Sequence, residues 1–179
     1  MRNYNKEFIL SPEELKEATD YCSDVQWDEV YQDYNLFELQ RHDVSGYEGL
    51  GFAKRLQEYS GKPDCVGFYY LRYIPGAFTR VHQDHESSMT IVTLIDSKDL
   101  VGGDAIVRHA YTAREGGRPA AMKCCRNEKE NTSPPYGQEM ILDVLPMERG
   151  ESLVYGNDLS HGVSLVHEGQ RTVLITWFR

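Results

Sequence analysis

At 179 residues, 40% hydrophobic and with a formal net charge of −9, the chain has the size and composition of one folded domain with its own core. Its acidity excludes the basic surface that non-specific nucleic-acid binding requires, and no apolar run is long enough to span a membrane. The opening Met1-Arg2-Asn3-Tyr4-Asn5-Lys6-Glu7 lacks the apolar centre of a signal peptide, so an intracellular, cytoplasmic setting is expected. The first element starts at Ser11-Pro12-Glu13-Glu14, where a serine N-cap, a proline at the first helical position and a glutamate at the third form a capping-box pattern. Leu15, Ala18 and Cys22 then share one helical face. A weaker helical pattern covers 27–31, and a third helix covers 47–59, ending at Ser60-Gly61 with Pro63 beyond. This helical prefix, residues 1–64, holds seven Lys/Arg against fourteen Asp/Glu and reads as a solvated outer layer.

From Cys65 onward the period changes to two. Runs at 65–74, 78–84, 89–95, 104–108, 139–145, 152–155, 162–167 and 172–178 are short, rich in β-branched and aromatic residues, and punctuated by Gly, Pro, Asn or Asp. Eight such strands after a helical prefix predict a mainly β fold, a jelly roll (double-stranded β-helix, cupin-like) packed against helices. Glu168-Gly169-Gln170 reads as a tight hairpin between the last two strands. The core over 65–179 is interrupted at 109–138, where Gly116-Gly117, Pro119 and Pro134-Pro135 break every period. A stretch of that kind is a lid, a binding loop or a solvated insertion. Residues 108–133 carry six Lys/Arg and three Asp/Glu, a local excess of positive charge that would suit an acidic peptide. Cys22, Cys65, Cys124 and Cys125 show neither C-x-x-C spacing nor a histidine in zinc-finger register, so free thiols are expected.

One segment carries chemistry: Tyr73-Ile-Pro-Gly-Ala-Phe-Thr-Arg-Val-His82-Gln-Asp84. At strand period two, His82 and Asp84 project to the same side of the backbone. A further imidazole is available at Ser160-His161-Gly162-Val163, and Arg171 follows ten residues after that histidine. Two histidines and one aspartate make a facial triad, which covers one side of an octahedral ion and leaves the other open, the ligand set of non-haem Fe(II) oxygenases. Taken singly, a histidine is more often a surface or hydrogen-bonded residue, and His42, His85, His109 and His167 are read that way.

The ordered set resembles the prolyl 4-hydroxylase branch of the Fe(II)/2-oxoglutarate-dependent oxygenases. The resemblance covers about 69–178. It rests on Tyr73 nine residues before His82, the His82-x-Asp84 pair, the strand at 89–95, Gly102-Gly103-Asp104, the turn at 146–150, His161-Gly162-Val163 and the basic Arg171. It implies that His82, Asp84 and His161 bind Fe(II), that Arg171 pairs with the far carboxylate of 2-oxoglutarate, and that Tyr73 adds a hydrogen bond to it. Ascorbate is implied as the reductant, and the expected reaction is hydroxylation of an aliphatic C–H, foremost a prolyl residue of a peptide or protein. Related halogenases replace the carboxylate with a small residue, so Asp84 points to hydroxylation; Trp177 stands where the family often carries a tryptophan.

The chain departs from the pattern in two places. Many prolyl hydroxylases have lysine at the position of Arg171, and superfamily members with arginine there follow it two places on with Ser or Thr, where this chain has Val173. Other readings are a hydroxylase of a free amino acid or small molecule, and a nucleic-acid demethylase that flips a base into the site. The acidity and the ten-residue His161–Arg171 spacing count against the demethylase. A jelly-roll binder without turnover would have no need of three intact ligands.

Overall fold

The computed structural model describes residues 4–27, 30–33, 35–113 and 138–179. Helix α1 (Pro12–Asp24) begins as the sequence dictates: Ser11 Oγ accepts from the Glu14 amide at 3.2 Å, and Glu14 Oε2 accepts from the Ser11 amide at 2.8 Å. Helix α2 (Gly51–Ser60) follows a 3-10 turn at Tyr47–Gly49 and ends on Gly61 in the left-handed region. Its own N-cap, Leu50, has no side-chain acceptor. Glu17 of α1 supplies one instead, accepting from the Gly51 and Phe52 amides at 3.1 Å each and placing a negative charge on the positive end of α2.

Two antiparallel sheets follow. The larger contains β1 (Tyr4–Glu7), β3 (Gln40–Asp43), β4 (Cys65–Tyr73), β6 (Met89–Gly102), β9 (Ser152–Tyr155) and β11 (Val166–Phe178), in the order β1-β9-β6-β11-β4-β3. The smaller contains β2 (Leu36–Phe37), β5 (Phe78–His82), β7 (Ala105–Ala113), β8 (Gln138–Leu145) and β10 (His161–Val163), in the order β2-β5-β10-β7-β8. The expected jelly roll with helices packed on one sheet is therefore the architecture. β4 shows how one strand serves two layers. Phe68 and Tyr70 face α1 and α2, with Tyr70 donating to the Ala18 carbonyl at 2.9 Å, while Tyr69, Leu71 and Tyr73 face the space between the sheets.

All eight strands expected after residue 64 are present, but the last connection differs. β11 runs straight through Glu168-Gly169-Gln170. Gly169, at φ 72°, sits in a bulge opposite Lys98 and Asp99, and a Cβ there would lie 2.2 Å from the Asp99 carbonyl oxygen. The glycine that signals a turn in the sequence marks a bulge instead. The change of sheet comes earlier, at Ser164-Leu165, between β10 and β11.

Two other expectations change. Residues 27 and 30–31 are not helical: Trp27 stacks on the Arg72 guanidinium at 3.9 Å, and Tyr31 makes a single bridge to Leu39. The prefix also contributes β1, β2 and β3, whose short runs carry too little alternation to be read as strands. The interruption expected at 109–138 is shorter than drawn, because β7 and β8 stay paired out to Ala113 and Gln138; the rest of it, with Gly116-Gly117 and Cys124-Cys125, lies outside the described residues. Among the described residues, no helix is long and apolar enough to cross a membrane.

Candidate active site

β5 and β10 lie side by side, with His82 directly opposite His161. Gly162 makes this approach possible, since a Cβ there would stand 2.7 Å from the Thr79 carbonyl oxygen. β5 ends at His82, and the chain then carries Asp84 back over the imidazoles beyond the strand end. His82 Nε2 lies 3.4 Å from Asp84 Oδ1, and His161 Nε2 lies 3.7 Å from Asp84 Oδ2. One ligand atom from each of the three falls within 4.8 Å of the others, the cluster of this kind found among the described residues.

The orientation of these groups is set by their neighbours. His82 Nδ1 faces the Arg80 carbonyl at 2.8 Å, and His161 Nδ1 faces the Leu159 carbonyl at 3.1 Å. A carbonyl only accepts, so each Nδ1 carries the proton and each Nε2 presents a lone pair. Thr90 Oγ1 donates to Asp84 Oδ2 at 2.8 Å, and the Tyr155 hydroxyl donates to the same oxygen at 3.4 Å. Burial pushes Asp84 up, but His161, His82 and Thr90 outweigh it and hold the carboxyl well below its usual range. Burial also drives His161 down to about 4, against the pull of Asp84, so this imidazole is neutral near pH 7. For His82 the burial effect is overcome by the hydrogen bond and charge of Asp84, and its pKa rises. Two neutral-capable imidazoles and one ionised carboxylate are a donor set suited to a divalent iron.

Across the cavity from β10 stands Arg171 on β11, directly opposite Tyr73 on β4. It is 3% exposed, donates to the Gly103 carbonyl at 3.1 Å and to Met147 Sδ at 3.4 Å, and forms no ion pair among the described residues. Burial lowers its pKa, with Tyr73, Asp104 and Tyr155 only partly offsetting this. A buried cation without an anionic partner is costly, so the position calls for an anion. Tyr73 meets Thr79 Oγ1 at 2.8 Å nearby. The cavity encloses about 300 Å³, and Leu71, Val92 and Val173 are among the apolar side chains that line it together with Arg171 and the His–Asp–His cluster. A carboxylate on Arg171 and a chelating group at the three ligands would share that cavity.

All five residues singled out in the sequence line this one cavity. Four others that line it or support it were not legible: Thr79, Thr90 and Tyr155, which hold Tyr73 and Asp84, and Tyr69, whose hydroxyl has no hydrogen-bond partner among the described residues. Threonine and tyrosine are ordinary strand residues, and only the alternation that places Tyr69 on the same face as Tyr73 hinted at its orientation.

No protein-family model matches the sequence, and no curated protein matches it. Solved structures do. A prolyl-4-hydroxylase from Pseudomonas putida superposes with a TM-score of 0.63 at 14% identity, over 100% of this chain and 93% of that one. The viral collagen prolyl hydroxylase of Paramecium bursaria Chlorella virus-1, solved with 2-oxoglutarate, gives 0.61 at 12% identity, over 98% and 95%. HygX from Streptomyces hygroscopicus, solved with nickel, 2-oxoglutarate and hygromycin B, gives 0.62 at 13% identity, over 97% and 81%. The chain has the fold of the 2-oxoglutarate/Fe(II) oxygenases. Within that jelly roll, sequences this different share a backbone while two are named prolyl hydroxylases and another was solved with hygromycin B bound, so the fold alone leaves the reaction to be argued from the site.

Proposed function

We propose that the protein is an Fe(II)- and 2-oxoglutarate-dependent dioxygenase that hydroxylates an aliphatic C–H, with a prolyl residue of a peptide or protein as its substrate. The observation that carries this reading is the pairing, in one cavity, of a His82–Asp84–His161 cluster with a buried Arg171 that lacks an anionic partner. His82, Asp84 and His161 would hold the iron through Nε2, a carboxylate oxygen and Nε2. Arg171 would take the far carboxylate of 2-oxoglutarate, a charge-assisted contact that its planar donors are shaped for. Tyr73, polarised by Thr79, would donate a further hydrogen bond there. When bound, iron and 2-oxoglutarate supply oxygen activation coupled to loss of CO2 from the cosubstrate, with ascorbate as the reductant that keeps iron ferrous. The chain's own part is to fix both Nε2 lone pairs, to keep Asp84 ionised, and to exclude water with Leu71, Val92 and Val173.

A cavity of about 300 Å³ lies at the low end of ligand sites, so beside a cosubstrate it admits one side chain or ring of a larger molecule. That favours a prolyl side chain carried by a peptide over a bulky free compound. HygX, which was solved with hygromycin B, keeps hydroxylation of a small molecule as the second reading. The test is succinate and CO2 release with Fe(II), ascorbate and 2-oxoglutarate, followed by mass spectrometry of prolyl peptides for a gain of one oxygen. His161→Ala should reduce turnover at least a hundredfold while leaving the fold intact. Turnover that survives in that variant would sink the metal assignment, and gain of oxygen on a small molecule alone would replace the peptide reading with the second one.

A further inference from the structure

We infer that Tyr69 is a substrate-positioning residue whose hydroxyl donates to a carbonyl oxygen beside the C–H that reacts. This rests on the function proposed above and adds the group by which the substrate is held. Tyr69 is 3% exposed and lines the cavity that contains Asp84. The other tyrosine and threonine hydroxyls around the site are paired: Tyr73 with Thr79, and both Tyr155 and Thr90 with Asp84. The Tyr69 hydroxyl has no hydrogen-bond partner among the described residues and opens onto the cavity, where a ligand can accept from it. A fold retains such a group most readily where a ligand completes it.

The ring is held rigidly for that purpose. The Trp177 ring meets it edge-on at 5.6 Å and 86°, and the Arg41 guanidinium lies 4.1 Å from its centroid. Arg41 is in turn fixed by Asp43, which accepts from Nη2 at 2.7 Å and from Nε at 3.0 Å. The phenol therefore has one orientation, with little rotamer entropy left to lose on binding.

Position on the strand separates substrate from cosubstrate. Tyr69 and Tyr73 share a face of β4 four residues apart, about 13 Å at ~3.3 Å per residue. A five-carbon diacid has four C–C bonds of ~1.5 Å and spans about 5 Å. Arg171 pairs with Tyr73, whereas Tyr69 pairs with Ile175, four residues farther along the sheet and on the Asp84 side of the cavity. The acceptor assigned to it is a carbonyl of the substrate, and an unchanged 2-oxoglutarate constant in Tyr69→Phe separates that from a contact with the cosubstrate. A prolyl unit offers two, the acyl oxygen on its nitrogen and its own carbonyl.

The experiment is calorimetric binding to iron-loaded protein under argon, saturated with 2-oxoglutarate, using acetyl-prolinamide and N-acetylpyrrolidine as probes. Tyr69→Phe keeps the ring and its packing, so it removes only the donor. It should weaken acetyl-prolinamide about tenfold and leave the 2-oxoglutarate constant within twofold. Loss on both probes assigns the acyl oxygen, and loss on acetyl-prolinamide alone assigns the prolyl carbonyl. Equal affinity of wild type and variant for both probes overturns the inference, as does failure of wild type to bind either probe while it still binds 2-oxoglutarate. Failure of wild type to bind 2-oxoglutarate instead overturns the proposed function beneath it.

Discussion

Arg171 carries a charge that the described residues do not neutralise, which makes it the most informative single side chain in the molecule. Arg171→Ala should raise the dissociation constant for 2-oxoglutarate by ten- to a hundredfold, since a hydrogen bond to a charged group contributes about 1.5–3 kcal/mol. Thr79→Val, which leaves the Tyr73 hydroxyl without its partner, should raise it by a few fold. Neither variant should change metal affinity by more than a small factor, because neither residue contacts His82, Asp84 or His161; calorimetry with metal alone and with 2-oxoglutarate checks both. Unchanged 2-oxoglutarate binding in Arg171→Ala would mean that another group holds the carboxylate. Thr79 also bears on the departure at Val173. Position 173 carries no hydroxyl, while Thr79 on the facing sheet pairs with Tyr73, the residue opposite Arg171. His82, Asp84, His161, Tyr73 and Arg171 were legible because their spacing is fixed along the chain. Thr79, Thr90 and Tyr69 were not, because their roles come from the sheet that faces them.

Among the elements, β10 has only three residues yet joins two strands and presents a candidate ligand. Its central Gly162 leaves no room for a side chain, with the Thr79 carbonyl oxygen 2.7 Å and the Arg80 carbonyl carbon 3.1 Å from any Cβ. Both atoms are backbone, so relief requires β10 and β5 to separate. Gly162→Ala should accordingly weaken metal binding at least tenfold, by moving His161 away from His82, and should lower the melting temperature by several degrees. A variant that kept metal affinity while losing stability would show that the strands tolerate separation without disturbing the ligands. Element boundaries were read well where local chemistry decides them: the Ser11–Glu14 capping box and the Gly61 stop lie where the sequence put them. The reading failed at Glu168-Gly169-Gln170, because a glycine with positive φ serves a turn and a bulge equally well. Only the register against β6 distinguishes the two.

At the scale of the whole molecule, the layers between helices and sheet are held by groups that are stable only when protonated. Burial pushes the Cys22 thiol up to about 11 from an ordinary 9.0, with Arg72 pulling the other way. Burial likewise raises Tyr70, whose hydroxyl bonds the Ala18 carbonyl, and Tyr69, Tyr73 and Tyr155 in the cavity wall. Each folded-state pKa lies above the unfolded one, so the folded chain binds more protons over the interval between them. Stability is then fully present below the unfolded pKa and falls as pH rises through the folded value. For Cys22 that window runs from about 9 to about 11; the tyrosines add theirs above their ordinary value of 10.0. Melting temperatures should therefore decline from about pH 9 upward. Cys22→Ala should start slightly lower at pH 7, having lost buried volume, and should hold a flatter curve between pH 9 and 10, where Cys22 and the likewise raised Cys65 contribute before the tyrosines. Curves for the two proteins that stay parallel throughout would show that the Cys22 thiol makes no contribution, and that the alkaline loss belongs to Cys65 and the tyrosines.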